Sequence, residues 1–390
     1  MIKKIIILGS TGSIGQSTLD VIKNNKKFRV LVLTSNNNIK ILYKQAVRYR
    51  VKNVIIENYN SYIKYKDLFK KKKINLHLGI SFLKKIVKKK VDYCINSISG
   101  ISGLEPTIQS IPLTKNILIA NKESIITGWS IIKKKLNQHK TNFIPIDSEH
   151  FSIFQLIKNE NNKNISRIIL TASGGPFLNQ NIKKSDDIKI KDVIKHPNWK
   201  MGKKISVDSA TMMNKVFEFI EAKKIFNLKN DQISILIHPT SYIHAIVFFK
   251  GEIIKMLAHN TKMTVPIAYA LDAYRKNIKK TYIQNDLKKL NNIKLINPDF
   301  VKFPLLNLIK TIPEKDSYFE TILVTLNDEL VKNYLNSNIK YFYIEKYLLK
   351  LIKSPFFKKY YKLKPKNIFD IKNMVNITKK YLNLKLSKYD

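Results

Sequence analysis

The sequence contains one cysteine, Cys94, in 390 residues. A single thiol excludes an internal disulfide and any metal site built from several cysteines, and it fits a reducing cytoplasm. No stretch approaches the roughly 20 unbroken apolar residues that a membrane-spanning helix needs. The apolar run after Met1 is short and ends in glycines, without a small-residue cleavage site, so it is better interpreted as a buried strand than as a signal peptide. We therefore expect a soluble cytoplasmic protein that does not enter a membrane.

Acidic residues and arginine are also scarce. Asp and Glu number 28 against 71 Lys and Arg, only five of them Arg, and the formal net charge is +43. Such a charge raises nucleic acid as a partner. The lysines are spread along the whole chain with abundant Asn and Ile, however, and are not clustered with stacking aromatic residues. We interpret the charge as a composition bias of the coding sequence and expect no nucleic acid as a partner; a basic nucleic-acid binder is the least favoured alternative.

The length of the chain predicts two or three domains, because single hydrophobic cores stop growing beyond about 250–300 residues. Short apolar strands alternate with helix-compatible stretches in the first 150 residues. This pattern predicts an α/β fold with an N-terminal, doubly wound, Rossmann-like parallel sheet. The predicted strands are 4–8, 29–34, 53–57, 92–97, 117–120 and 142–146.

The pattern changes at about residue 150. Strands at 165–171 and 233–237, a hairpin over 243–257 and one helix over 208–224 predict a central α+β domain. Helical periodicity predominates toward the end of the chain, which predicts a C-terminal helical domain. The predicted divisions are 1–149, 150–274, 275–298 as a linker and 299–390 as helices.

A glycine turn joins the first predicted strand to a helix. Its sequence is Gly9-Ser-Thr-Gly-Ser-Ile-Gly15. Glycines permit a tight turn and a close approach of the backbone to a pyrophosphate, and the helix N-terminus adds N–H groups and a positive dipole end. The G-x-x-G-x-x-G spacing is weak as a motif, but its place after the first strand predicts a dinucleotide site. A glycine turn without a ligand is the alternative.

The second predicted strand leads into Asn36, Asn37 and Asn38. An NAD enzyme usually has Asp or Glu here to bind the ribose 2′-hydroxyl. Small neutral polar groups accept a 2′-phosphate instead, so this segment favours NADP.

Charged residues follow two later strands of the predicted sheet. Lys122 comes after 117–120, and Asp147 and Glu149 come after 142–146. Ligands of doubly wound sheets bind at the carboxyl ends of the strands, and carboxylate oxygens suit Mg²⁺ or Mn²⁺. The alternatives are a solvated lysine and acidic residues that only stabilise a helix dipole.

Three segments of the second half combine polar groups. In the predicted helix 208–224, Asp208 or Ser209 is expected as the N-cap, with Asn214, Lys215 and Glu218 on nearly one face. Such a set suits a phosphate at one end and a metal at the other; a capped helix with a surface ion pair is the alternative. The Ser173 turn suits contacts with an anion. The loop from His196 to Gly202 is a candidate lid, although its Trp199 is equally consistent with packing.

Taken together, these segments resemble the 1-deoxy-D-xylulose 5-phosphate reductoisomerase family, over about two-thirds of the chain. The matching strings are Gly9–Gly15, Ala120–Ser124, Pro145–His150, Ser173–Phe177, His196–Trp199 and Ile205–Lys215. The resemblance implies a homodimer that converts 1-deoxy-D-xylulose 5-phosphate to 2-C-methyl-D-erythritol 4-phosphate in non-mevalonate isoprenoid biosynthesis, with NADPH and one Mn²⁺ or Mg²⁺ ion. The alternative is another NADP-dependent dehydrogenase, such as a semialdehyde or a homoserine dehydrogenase, of which the former would require a catalytic cysteine.

The resemblance also assigns roles to domains and residues of this chain. It implies an NADPH-binding domain at 1–149 and a central catalytic domain at 150–274 that binds metal and substrate and forms the dimer. The implied metal ligands are Asp147, Glu149 and Glu218. The implied substrate contacts are Lys122, Ser148, Glu149, Ser173, His196, Ser209, Asn214, Lys215 and Glu218. The implied NADPH positions are Thr11, Gly12, Ser13, Ile14, Asn121, Glu123 and Gly202, to which the second-strand loop adds Asn36, Asn37 and Asn38. The candidate catalytic residues are Lys122, Glu149 and His196, with Glu149 as the candidate for proton transfer.

Some positions depart from the family pattern. The second-strand loop of the family often reads Gly-Lys-Asn where this chain has Asn36–Asn38. The missing lysine removes a charge partner for the 2′-phosphate, unless Lys40 takes its place. Near Met263, the family's Gly-Glu-Pro-Asp-Met becomes His259-Asn-Thr-Lys-Met. The C-terminal part retains Asn327 and little other recognisable motif.

Overall fold

The computed structural model describes residues 2–180, 188–199, 201–273 and 287–387. The chain divides into two compact units. The first unit consists of Met1–Ser124, Ser130–Asp147 and Met263–Arg275, and the second of Ile125–Trp129, Ser148–Lys262 and Lys276–Asp390. Half of the predicted linker, residues 275–286, lies outside the described residues, and the domain divisions proposed above stay predictions.

The first unit contains a seven-stranded sheet in the order β4-β3-β2-β1-β5-β6-β7. All neighbouring strands in it pair in parallel. The direction of the strand order reverses between β1 and β5, which is the place where doubly wound sheets bind their ligands. The predicted Rossmann-like sheet is therefore confirmed. The strands are β1 (Lys3–Leu8), β2 (Phe28–Ser35), β3 (Asn53–Ile56), β4 (Asn75–Leu78), β5 (Val91–Asn96), β6 (Thr114–Ile119) and β7 (Asn142–Pro145).

Strand β4 is the one strand of this sheet that the apolar pattern did not predict. Central strands are covered on both faces and read as apolar runs, as in Ile5–Leu8, which is buried throughout. Strand β4 lies at the sheet edge, has only four residues and has no fully buried side chain. A half-exposed edge strand needs no apolar run, so its sequence resembles that of a loop.

Helices of the first unit contribute apolar side chains to a core shared with the sheet. Leu19 and Ile22 of the first helix share a core with Ile267 and Leu271, near the end of this unit. The helices are α1 (Ser13–Ile22), α2 (Ile39–Arg48), α3 (Tyr59–Lys71), α4 (Leu83–Ile86), α5 (Leu104–Ser110), α6 (Lys122–His139) and α11 (Thr264–Ala270). Helix α1 begins at Ser13, inside the glycine turn, so the turn leads directly into a helix N-terminus.

The glycine turn is tight, and its geometry requires glycine at two positions. Gly9 has φ +73°, a conformation that residues with a Cβ rarely adopt. A Cβ on Gly15 would lie 2.5 Å from Ser10 Cα and 2.6 Å from Gly9 O. The same atom on Gly12 would meet nothing closer than 3.5 Å. Gly15 therefore allows α1 to pack against the turn that precedes it.

The second unit contains a four-stranded sheet in the order β11-β10-β8-β9. Strands β8 and β9 are parallel, while β10 is antiparallel to both β8 and β11. The two predicted strands and the predicted hairpin are confirmed. The strands are β8 (Ile165–Ala172), β9 (Ile233–Ile237), β10 (Ile243–Phe249) and β11 (Ile254–Ala258).

One apolar core joins this sheet to the C-terminal helices, which confirms the predicted helical character of that part of the chain. Leu170 of β8, Phe217, Ile322 and Leu348 belong to the same buried cluster. The helices of the second unit are α7 (Ser148–Leu156), α8 (Ile190–Val193), α9 (Lys203–Ala210), α10 (Met213–Phe226), α12 (Tyr318–Leu335), α13 (Tyr341–Ile352), α14 (Pro355–Lys358) and α15 (Ile368–Leu386). A span across a membrane would need a longer or more apolar helix than any in the described part of the chain.

The prediction of one helix over 208–224 is wrong. Helix α9 ends at Ala210 and α10 begins at Met213. Between them, the N-cap of α10 is Met212, which has φ +61°. Asp208 and Ser209 therefore cap nothing; they lie buried in the last turn of α9. The sequence has no Gly or Pro at the break, and the core packing of Met212 overrides a helical periodicity that continues across it.

We expect Gly15→Ala to lower the free energy of unfolding by about 1–3 kcal/mol, because the added methyl overlaps backbone atoms of a closely packed turn. Gly12→Ala is the matched control in the same turn, with an expected loss below about 1 kcal/mol from poorer N-capping. Urea unfolding of the two variants measures both values. Equal losses would contradict the close approach at Gly15.

Candidate active site

In the first unit, a buried ion pair lies at the carboxyl ends of β6 and β7. Lys122 Nζ is 2.9 Å from Asp147 Oδ2, and their side chains are 6% and 13% exposed. Lys122 begins α6, whose N-cap Asn121 accepts a hydrogen bond from the Ser124 amide at 2.6 Å. Lys122 is therefore a buried group at the ligand-binding edge of the sheet and not a solvated lysine.

The predicted NADPH residues of this unit lie on neighbouring elements. Thr11 Oγ1 is 2.9 Å from Ser35 Oγ, which links the glycine turn to the end of β2. Ser13 and Ile14 open α1, and Glu123 is buried in the first turn of α6.

Two of the predicted NADPH residues, Asn38 and Asn121, also use their side-chain amides in hydrogen bonds to the protein backbone. Asn38 caps α2 by accepting a hydrogen bond from the Ile41 amide at 3.3 Å. Asn121 Nδ2 donates to the carbonyl oxygens of Gly100, at 2.6 Å, and of Ile98. Asn36–Asn38 remain exposed at the end of β2.

In the second unit, Lys215 is the centre of a buried charged cluster. Its Nζ donates to Glu149 Oε1 at 2.7 Å and to the Thr171 carbonyl oxygen at 2.6 Å, and it also pairs with Glu218. Burial by itself lowers the pKa of Lys215, but the carboxylates of Glu149 and Glu218 outweigh it and leave the pKa above its usual value. The alternative of a capped helix with a surface ion pair is wrong, because Asp208 and Ser209 cap no helix and the pair of Lys215 with Glu218 is buried.

Glu149 and Glu218 are held in place by further polar neighbours. Ser148 Oγ donates to Glu149 Oε2, and Asn214 Nδ2 donates to Glu218 Oε1, each at 2.5 Å. A carboxylate oxygen of Glu149 lies within 4.8 Å of one of Glu218. Two carboxylates at this spacing fit a hard divalent cation, which prefers oxygen ligands.

A hydroxyl–imidazole pair lies beyond the end of β8. His196 Nδ1 accepts hydrogen bonds from the amides of Asn198 and Trp199 at 3.1 and 3.0 Å. Since Nδ1 is an acceptor, the ring proton is on Nε2, which donates to Ser173 Oγ at 2.9 Å. Ser173 Oγ also accepts from the Gly175 amide at 3.1 Å, so its own proton is directed elsewhere. Burial and the charge of Lys215 lower the pKa of His196 to about 4.

The turn of Ser173 lies against helix α9. Gly174 and Gly175 have φ +81° and +67°. A Cβ on Gly175 would lie 2.8 Å from the carbonyl oxygen of Ser209, so glycine allows the turn to approach the end of this helix. Ser209 is 8% exposed there, and Gly202 is the N-cap of α9. The predicted anion-binding residues of this unit are thus gathered around the ends of β8 and α9 and the start of α10.

Sequence reasoning missed two supporting contacts in this unit. His150 Nε2 donates to the Glu218 carbonyl oxygen at 2.9 Å, and its Nδ1 faces Glu221 Oε2 at 3.3 Å. Asp208 accepts from Asn327 Nδ2 at 2.8 Å and pairs with Lys204 at 3.1 Å, which anchors α9 to α12. The adjacency of His150 to Glu149 was the available signal for the first contact; the second joins residues 119 positions apart, which no local pattern shows.

Cys94 lies fully buried within β5. Burial raises the pKa of its thiol to about 12. A reactive cysteine needs a lowered pKa and access to substrate, so the semialdehyde dehydrogenase alternative lacks its nucleophile.

Comparison with known proteins decides among the alternatives. Three family models match: 1-deoxy-D-xylulose 5-phosphate reductoisomerase over residues 5–128, its C-terminal domain over 143–226, and the DXP reductoisomerase C-terminal domain over 259–381. The 1-deoxy-D-xylulose 5-phosphate reductoisomerase of Pelagibacter ubique (strain HTCC1062) is 49% identical over 389 residues, 99% of each chain. The chain belongs to the 1-deoxy-D-xylulose 5-phosphate reductoisomerase family.

Other members of the reductoisomerase family agree. The enzyme of Clostridium novyi (strain NT) is 36% identical over 393 residues and is covered over its whole length, as is this chain. A crystal structure of DOX-P reductoisomerase in complex with NADPH, fosmidomycin and magnesium matches with a TM-score of 0.88 and 30% identity, covering 99% of this chain and 98% of that one. The Zymomonas mobilis enzyme in complex with NADPH matches with a TM-score of 0.85 and 29% identity, over 99% of both chains.

We predict that His196 stays uncharged in the folded protein well below the pH at which a free histidine takes a proton. The folded protein keeps the imidazole neutral down to about pH 4, whereas an unfolded histidine takes a proton near pH 6.5. The contribution of His196 to stability is therefore complete above pH 6.5 and is lost as the pH falls from 6.5 toward 4. Histidine ring ¹⁵N titration by NMR, with His196→Asn to assign the signal, measures the midpoint. A midpoint near 6.5 would contradict the buried, neutral ring.

Proposed function

We propose that this chain catalyses the rearrangement and NADPH-dependent reduction of 1-deoxy-D-xylulose 5-phosphate to 2-C-methyl-D-erythritol 4-phosphate, in non-mevalonate isoprenoid biosynthesis. The buried cluster of Lys215, Glu149 and Glu218 carries the proposal, because it combines paired carboxylates for a metal with a cation for a phosphate. Membership in the reductoisomerase family supports the same reaction.

The proposed metal ligands are Asp147, Glu149 and Glu218. Asp147 precedes Glu149 by two residues in the chain, and all three offer the hard oxygen donors that Mg²⁺ and Mn²⁺ prefer. The bound ion would supply electrostatic stabilisation of negative charge that develops on substrate oxygens. The hydrogen bond from Ser148 and the ion pair with Lys215 orient Glu149, which is also the proposed proton-transfer group.

The proposed phosphate site is formed by Ser173, His196, Ser209, Asn214 and Lys215. His196 donates its Nε2 proton to Ser173 Oγ, so the serine proton is available for a phosphate oxygen. The raised pKa of Lys215 keeps its ammonium charged, which favours a dianion. A neutral His196 can donate through Nε2 without adding a second cation near Lys215.

For Lys122 we propose a contact with the substrate at the end of β6. Its ammonium is fixed by Asp147 and is shielded from water, which strengthens its interaction with a polar ligand.

The proposed NADPH site is formed by the glycine turn and its neighbours. The backbone N–H groups of Thr11, Ser13 and Ile14, at the start of α1, are the proposed contacts of a pyrophosphate. The N–H of Gly12 donates to Gly9 O at 3.1 Å, so Gly12 is proposed to allow close approach of the cofactor to the backbone. The other proposed contacts are Asn36, Asn37, Asn38, Asn121, Glu123 and Gly202. The exposed amides after β2 carry no carboxylate that would repel a 2′-phosphate. The side-chain oxygen of Asn38 is used in capping α2, so Lys40, exposed in the first turn of that helix, is a candidate charge partner.

We further propose a cytoplasmic homodimer. Strand β11 is the edge of the sheet formed by the described residues of the second unit, and its Ile254 and Met256 are each 53% exposed. An apolar edge strand is normally covered, because its free N–H and C=O groups pair readily with another chain.

Light scattering should give twice the mass of one chain, and Met256→Lys should lower the measured mass toward that of one chain. A monomer with the native sequence would exclude the dimer.

The substrate assay tests the proposed function directly. We expect oxidation of NADPH that requires both 1-deoxy-D-xylulose 5-phosphate and Mg²⁺ or Mn²⁺, followed by absorbance of the nicotinamide. Folded protein without turnover in either ion would refute the proposal.

Parallel reactions with NADH test the cofactor preference, and a comparable kcat/KM with NADH would refute the assignment of Asn36–Asn38 to a 2′-phosphate.

We expect Glu218→Gln to lose metal-dependent turnover while NADPH binding is retained. The amide keeps the shape but not the charge of the ligand. We expect metal affinity to fall about 100-fold or more, since even outer-shell partners contribute about 10–100-fold. Mn²⁺ titration and NADPH fluorescence measure the two effects. Glu314→Gln is the control, because it removes an exposed carboxylate paired with Lys223. Unchanged turnover would remove Glu218 from the ligand set.

A further inference from the structure

Four aromatic rings of the second unit form a continuous row. The ring of His259 stacks on that of His244 with centroids 3.7 Å apart and an interplanar angle of 19°. Phe151 meets His259 edge-on at 6.2 Å, and Trp199 meets His244 edge-on at 5.9 Å. The row runs from helix α7, through the residue after β11 and strand β10, to the loop that begins at His196.

Hydrogen bonds fix both imidazoles in this row. His244 Nε2 donates to the carbonyl oxygen of His259 at 3.1 Å, and His259 Nδ1 donates to the carbonyl oxygen of Asn260 at 2.9 Å. The second bond leaves the lone pair of His259 on Nε2, a buried atom without a hydrogen-bond partner among the described residues. Burial lowers the pKa of His259. A neutral ring stacks closely on a second imidazole without the repulsion that two cations would produce.

The close stack on His244 uses the flat face of the His259 ring. A flat ring at this position contacts His244 over its whole face. An aliphatic side chain would avoid the unsatisfied atom but would offer no such face.

The other end of the row leads to the proposed phosphate site. Trp199 donates its backbone amide to His196 Nδ1, and His196 Nε2 donates to Ser173 Oγ. Asn198 Nδ2 ties the same loop to the Pro239 carbonyl oxygen at 2.6 Å. The orientation of the His196 ring thus depends on where the backbone at residues 198 and 199 is held.

We propose that His259 is a positioning residue for the substrate: its stack on His244 fixes the surface against which Trp199 packs and so keeps His196 directed at Ser173. The proposal rests on the proposed function, because it assigns the Ser173–His196 pair to the substrate phosphate. It differs from simple core packing in what it predicts, since a packing residue would affect stability without changing substrate affinity selectively.

Two substitutions separate the ring from the hydrogen bond. His259→Asn keeps a donor toward the Asn260 carbonyl and deletes the ring, whereas His259→Phe keeps a flat ring and deletes the donor. We expect His259→Asn to raise the KM for 1-deoxy-D-xylulose 5-phosphate roughly 10-fold, since displacement of a positioning group by an ångström costs up to about 100-fold. The KM for NADPH should not change. His259→Phe should remain within about twofold of the native protein.

A second measurement does not depend on turnover. The protein has two tryptophans, Trp129 and Trp199, so Trp129→Phe leaves Trp199 as the single indole emitter. In that background, His259→Asn should increase acrylamide quenching of Trp199 and His259→Phe should not. The quenching measurement reports the packing of the aromatic row even if the native protein has no reductoisomerase activity. In that case the proposed function fails, while the packing of Trp199 on the His244–His259 stack is still tested.

The outcomes are distinct. A selective rise in the KM of the phosphosugar together with a more accessible Trp199, in His259→Asn only, supports the proposal. Equal effects of both substitutions would overturn it, because the flat ring kept in His259→Phe would then not be sufficient. Unchanged KM and quenching in a folded His259→Asn protein, checked by thermal unfolding, would also overturn it. If His259→Asn does not fold, His259→Leu replaces it as the variant without a ring: a raised phosphosugar KM and a more accessible Trp199 in His259→Leu but not in His259→Phe support the proposal, and native values in a folded His259→Leu protein overturn it.

Discussion

The stability of the second unit depends on the neutralisation of one buried ammonium group. Lys215 is 4% exposed and donates to two carboxylates and a backbone carbonyl. Removing one partner of a buried ion pair costs about 3–5 kcal/mol, because the remaining charge is left without solvent or counter-charge. The cluster therefore ties together three elements, α7, α10 and the end of β8, and the same charges that stabilise this arrangement are those that a metal and a phosphate require.

Neutral hydrogen-bonding groups complete the charged cluster. His196 is kept uncharged by burial and by the nearby Lys215, and its ring orientation is set by backbone amides and not by a carboxylate. The proposed phosphate site therefore combines one cation, the Lys215 ammonium, with neutral hydrogen-bond donors. The approach of Gly175 to Ser209 and the anchoring of Asp208 by Asn327 keep those donors together.

Much of the first unit could be predicted from local pattern, because buried parallel strands are apolar runs and a glycine turn before a helix is a local signal. Six of its seven strands were predicted, and the exception, β4, is a short, half-exposed edge strand. The break at Met212 was not predicted, because no Gly or Pro marks it and the apolar periodicity continues across it. Its local signs are weak: the Thr211 hydroxyl accepts a hydrogen bond from the Met213 amide at 3.4 Å, and Met212 is buried in the core. The stack of His244 on His259 was not predicted either.

The sequence by itself determined the elements and the inventory of chemical groups: the glycine turn, the carboxylates at 147 and 149, and the segment from Ser206 to Glu218. These are local properties, since spacing along a strand or helix dictates which side chains share a face. Only the tertiary structure decided which groups meet and in what state. The pairing of Lys215 with Glu149, across 66 positions, and the neutral ring of His196 arise from burial and from contacts between distant segments. Local spacing does not encode either, because both depend on how much water the fold excludes.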